Sequence, residues 1–143
     1  MKKSQKTNND LISLISNGRI MLNSNHLDII EVIHLGIDTN SIEQFRCKLA
    51  WDIQKISEAI GTNIKMLNKP KILNATLSQN AIEIAYLASI CIDYFENEHR
   101  FNLWLDTPNL QFSNKPPRSF LKSIKGRELI KKTINSLNYG FTA

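Results

Sequence analysis

Residues 76–109 read "TLSQNAIEIAYLASICIDYFENEHRFNLWLDTPN", and they decide the class of fold. Ser78 can cap a helix. Ile82, Ala85, Tyr86, Ala88, Ser89, Ile92 and Phe95 then recur at helical spacing. From Ile84 to Ile92 the segment is nearly apolar all round, which predicts a central, buried helix. "EHRFNLWLD" keeps the period, with Phe101, Trp104 and Leu105 inward, until Thr107-Pro108 ends it. No stretch of the chain alternates apolar and polar residues between hairpin turns. The expected fold is all-α, a bundle of seven or eight helices.

Downstream, the segment "WLDTPNLQFSNKPPRSFLKSIKG", residues 104–126, holds three prolines and a basic run without an acid from Lys115 to Arg127. Prolines pre-set the backbone, so such a loop loses less entropy on docking. Phe120, Leu121 and Ile124 predict one helical segment beyond it. Ile130, Ile134 and Leu137 predict a final helix closed by Gly140.

Upstream, "IQKISEAIGTNIKMLNKPK" gives an apolar face of Ile53, Ile56, Ala59 and Ile60, then Gly61. That glycine supplies a turn of positive φ. Thr62 or Asn63 caps a second short helix, with Ile64 and Leu67 turned inward and Pro70 limiting it near Lys69. This is helix-turn-helix grammar, which a plain αα-hairpin shares. Before it, Asn40 or Ser41 caps a helix carrying Ile42, Phe45 and Leu49. "HLDIIEVIHLGI" places Leu27, Ile30, Ile33 and Ile37 on one expected face. Leu11, Ile12, Leu14 and Ile15 make a short helix or arm that stops at Gly18. Residues 1–9 are polar and lysine-rich, with no periodicity.

Composition excludes several classes. The apolar fraction of 42% over 143 residues suffices for a core. No apolar run reaches the roughly 18 residues of a membrane span, and no signal peptide is expected behind "MKKSQKTNND". Cys47 and Cys91 are expected as buried thiols in a reducing cytoplasm. His26, His34 and His99 have no metal-ligand spacing, and there is no CxxC, phosphate loop or GxSxG. Glu96, Glu98 and His99 read as a solvated helix end. No enzyme, metal or cofactor is expected. The net charge of +5 is unevenly spread, with basic ends and an acidic middle.

From about Asp28 onward the chain resembles the Xre/MbcA/ParS antitoxin family. "KISEAIGTNIKMLNK", residues 55–69, resembles its helix-turn-helix. Its toxin-binding pattern is matched in order and spacing by Trp104, Leu105, Pro108, Asn109, Leu110, Pro117 (or Pro116), Phe120, Leu121, Gly126, Ile130, Ile134, Leu137 and Gly140. The chain departs from the family in reading "LQFSNK" where members often have a glycine pair. Glu83-Ile84 also stands where an arginine is frequent.

The resemblance implies a division into an N-terminal extension (1–27), an Xre-like helix-turn-helix domain (28–76) and a toxin-binding domain (77–143). It implies a toxin partner of the RES type, whose active site the antitoxin blocks, an operator DNA and a homodimer. Trp104 is expected as a core anchor beneath the proline loop. Arg118, Lys122, Lys125, Arg127 and Lys131 are then the exposed candidates for toxin contact, with Tyr139, Phe141 and the carboxylate of Ala143 at the end. Asn63, Lys65, Met66, Asn68 and Lys69 are the candidates for DNA, by base readout or phosphate contact. Lys2, Lys3 and Lys6 add phosphate contacts. The alternatives are a helix-turn-helix regulator whose C-terminal domain dimerises, and an interaction protein without DNA binding.

Overall fold

A computed structural model describes residues 11–140. They form an all-α fold with no strand among the described residues. Residues 11–15 are helical (α1). The chain continues through α2 (His26–Leu35), α3 (Thr39–Leu49), α4 (Ile53–Ile60), α5 (Ile64–Leu67), α6 (Ala75–Phe95) and α7 (Glu98–Asp106). Two 3-10 turns, Leu110–Phe112 and Pro117–Phe120, lead to α8 (Ile124–Asn138).

The asparagines and aspartates scattered through the sequence start these helices. Asn25, Asp38, Asp52, Asn63, Asn74, Asn97 and Ser123 each accept a hydrogen bond from the backbone N–H three residues on. Each satisfies a donor that a helix end otherwise leaves open. The expected caps Asn40, Ser41 and Ser78 are corrected: all three lie inside helices. Ser78 is fully buried, and its hydroxyl accepts from Ile37 N at 2.9 Å and donates to Leu73 O at 3.1 Å. It thereby ties α6 to the joint between α2 and α3. A single antiparallel bridge, Asp38 with Ile72, closes the same place.

The central helix is where the sequence put it. α6 packs against α2, α4, α7 and α8, which is why both its sides are apolar. Its end is sharper than the periodicity suggested. Glu96 takes a left-handed conformation at φ 78°, and Asn97 caps α7 in a new direction. One core runs from Leu11 to Ile134 and includes side chains on both sides of residue 77.

Two expectations about burial are corrected. On α2, Val32 is buried and Ile29 and Ile33 pack on the core, while Leu27 is 77% and Ile30 47% exposed. Apolar residues on several sides of α2 leave its period ambiguous, and α6 selects the stripe it meets. Cys47 is exposed on α3, whereas Cys91 is buried in α6, where burial pushes its thiol far above the ordinary range.

Glycine is required at two places for different reasons. Gly61 stands at φ 92°, as the turn between α4 and α5 demands. Gly126 is in the first turn of α8, where a Cβ would run into the carbonyl oxygen of Phe120. The second case fixes how closely α8 starts against the proline turn.

Candidate functional site

The segment between α7 and α8 is built on aromatic side chains. Trp104 meets Phe95 at 5.5 Å and Phe112 edge-on at 5.7 Å, and Phe112 meets Phe120 at 5.1 Å between ring centroids. The row continues inward through Phe101 and Trp51 to Phe45. Such pairs stabilise beyond their buried area by about 0.5–1.5 kcal/mol each. Phe112 and Pro117 are buried, so the loop is pinned from below. Its backbone is closed by Asn109 N to Lys115 O at 3.2 Å and Asn114 N to Asn109 O at 3.0 Å. Ser113 and Asn114 hold left-handed conformations to make that turn. Leu110 is left at the tip, 81% exposed.

Two of the expected contact residues are less exposed than the sequence reading had them: Arg127 is buried and Arg118 is largely covered. Arg127 is 5% exposed. Its guanidinium donates to Glu83 Oε1 at 2.8 and 3.1 Å, to Asn80 Oδ1 at 3.2 Å and to Leu121 O at 2.9 Å. Arg118 donates to both carboxylate oxygens of Asp106, at 2.6 and 3.1 Å, and to Asn102 Oδ1 at 3.3 Å. It lies over Trp51, with its central carbon 4.8 Å from the ring centroid. Its buried Nη1 has no oxygen partner, and the face of the indole is the favourable surface left to the cation. The Arg118 hydrogen bond holds the Asp106 carboxyl below the usual range. In both cases the planar fork of arginine matches acceptors from other elements.

The lysines behave differently. Lys122, Lys125 and Lys131 are exposed, and Lys125 lies 3.6 Å from Glu128 in a solvent-exposed pair. Along α8, Ile124, Glu128, Lys131, Asn135 and Tyr139 fall on one stripe at helical spacing. Ile124 is 59% and Tyr139 79% exposed. A shallow groove runs along this stripe between Glu128, Lys131, Lys132, Asn135, Ser136 and Tyr139. Phe141 and Ala143 lie outside the described residues, as do Lys2, Lys3 and Lys6.

Residues 92–140 match the model of the antitoxin Xre/MbcA/ParS C-terminal toxin-binding domain. The chain carries a domain of this family. The match takes in the end of α6, all of α7, the proline loop and α8. The Xre/MbcA/ParS match thus covers the row from Phe95 to Phe120 and the stripe on α8. No curated protein matches the chain.

The other candidate surface lies on α4 and α5. Asn63, Lys65, Asn68 and Lys69 are exposed, and Met66 is half-buried. The second helix is a single turn, Ile64–Leu67. Asn63 spends its Oδ1 on the Met66 N–H at 2.9 Å, and Lys71 Nζ approaches Met66 Sδ at 3.5 Å. Leu67 packs on the core as expected.

The sequence reading passed over Trp51, Asn102 and Asp106. Trp51 Nε1 donates to Asn102 Oδ1 at 2.6 Å, and Asn102 Nδ2 donates to Leu49 O at 2.7 Å. Trp51 follows Ala50, whose left-handed conformation turns the indole inward. A tryptophan between two helices was the available signal; nothing local marked Asn102.

Proposed function

We propose that this protein is an antitoxin that binds a cognate toxin through the Leu110 loop and the outer stripe of α8. The match of residues 92–140 to a toxin-binding domain carries this reading. The surface supports it: a loop fixed from below presents Leu110, and α8 presents Ile124, Lys131 and Tyr139 beside Lys122 and Lys125. Aromatic and aliphatic anchors ringed by charge are what a specific interface needs. The RES-type toxin and the blocking of its active site follow from the family resemblance. Arg118 and Arg127 hold the surface in place and leave contact to the lysines.

The test is co-expression with the neighbouring reading frame. That neighbour is expected to arrest growth alone and to be tolerated with this chain. Lys122→Glu with Lys131→Glu is expected to weaken the complex by roughly 10- to 100-fold, because reversed charges at a matched interface repel, here by about 1.4–2.8 kcal/mol. Unchanged affinity in the double variant would remove the α8 stripe from the contact. A harmless neighbour would remove the antitoxin reading itself.

Operon repression is the second part of the proposal. Exposed Asn63, Lys65, Asn68 and Lys69 at the start and end of α5 support it. In this reading residues 28–76 face DNA, residues 77–143 face the toxin, and two copies set two α5 turns against two half-sites. Lys65→Glu with Lys69→Glu is expected to abolish the shift of the operon's own promoter fragment in a gel. A retained shift would move DNA binding to another surface.

A further inference from the structure

We propose that the cleft between α4 and the proline turn receives an acidic side chain of the toxin, so that Lys55 on α4 joins the contact. The proposal rests on the antitoxin reading and carries it beyond residues 92–140, onto a helix that the division at residue 77 leaves to DNA. The cleft holds about 450 Å³, within the range of sites that bury one small group. Lys55, Glu58 and Ala59 line it from α4, and Pro116, Arg118 and Lys122 line it from the proline turn and the residues after it. Ala59 is buried and Pro116 half-buried, so the cleft has an apolar part beneath its charges.

Charge decides the occupant. Asp106, which also lines the cleft, is already answered, because both of its oxygens accept from Arg118. Lys55 makes only a loose pair, its Nζ 3.8 Å from Asp106, and Lys122 makes none among the described residues. Glu58 accepts from the Gln54 amide at 2.7 Å. The cleft therefore sets three cations against two carboxylates, and its two lysines keep N–H donors for one carboxylate more. Lysine stems are flexible enough to bring both ammonium groups onto it, in charge-assisted bonds. A run of phosphates fits less well, since Glu58 and Asp106 repel it. Lys122 belongs to the cleft and to the contact proposed above, so the two surfaces are continuous.

Calorimetric titration of the full chain with the product of the neighbouring reading frame tests this. Lys55→Gln is expected to weaken the complex about tenfold or more, the loss of a hydrogen bond to a charged group. Glu58→Gln is expected to tighten it roughly two- to fivefold, because it removes a like charge from beside the incoming carboxylate. A merely structural role for α4 predicts no such gain. Lys48→Gln, an exposed lysine on α3, is expected to leave the affinity unchanged and controls for net charge. Lys55→Gln that binds as tightly as Lys48→Gln overturns the proposal, as does Glu58→Gln that weakens the complex. Lys55→Gln that keeps the toxin but loses the promoter fragment gives Lys55 to DNA and overturns it as well. Each of these results leaves the antitoxin reading standing, whereas a full chain that does not bind the neighbour at all removes both.

Discussion

Trp51→Ala is expected to lower the unfolding free energy by about 3–5 kcal/mol, the range for deleting a buried large aromatic. The indole is 1% exposed and touches Phe45 and Phe101. It also holds Asn102 by a hydrogen bond and lies under the Arg118 guanidinium. Its removal opens a cavity and strips a cation of the aromatic face beneath it. The damage reaches past the cavity, because Arg118 and Asn102 place the proline turn against α7. Denaturant unfolding followed by circular dichroism measures the loss. Trp51→Phe separates the contributions: it keeps a ring and gives up the hydrogen bond, for about 1–2 kcal/mol. A loss below about 1 kcal/mol for Trp51→Ala would show that the indole does not hold the proline turn against α7.

Glu83→Ala is expected to cost about 2–4 kcal/mol, because it strands a buried arginine. Arg127 is nearly inaccessible and donates two of its hydrogen bonds to one Glu83 oxygen. Glu83 itself is 39% exposed, which places the figure below that of a wholly buried pair. Asn80 and the Leu121 carbonyl remain as partners but bring no negative charge. Glu83→Gln keeps an acceptor and is expected to lose less than the alanine variant. The comparison is read from the same unfolding curves. Equal losses for the two variants would mean that geometry, not charge, holds Arg127.

The contrast between these residues shows what was legible beforehand. The helices were legible because apolar period, turn residues and proline are local. α6 declared itself by being apolar on every side, and Gly61 by its place between two short helices. The caps were misplaced by a few residues wherever several polar residues adjoined, as at Asp38 to Ser41. What could not be read was which cations face water. Arg118 and Arg127 sit in the same basic run as Lys122 and Lys125. Their partners Asp106, Asn102, Asn80 and Glu83 come from other elements, up to 47 residues away. α2 failed for another reason: apolar residues on several sides let the neighbouring helix choose the buried stripe.

In the proposed antitoxin reading, the loop between Asn109 and Lys115 keeps what holds it apart from what would meet a partner. Phe112 points down into the aromatic row, and the backbone bonds close on themselves, while Leu110 stands out in solvent. Replacing the outer side chain leaves the folding free energy nearly untouched, since little burial is lost. Under that reading, the partner the loop fits can be changed one tip residue at a time, on a platform whose underside stays the same.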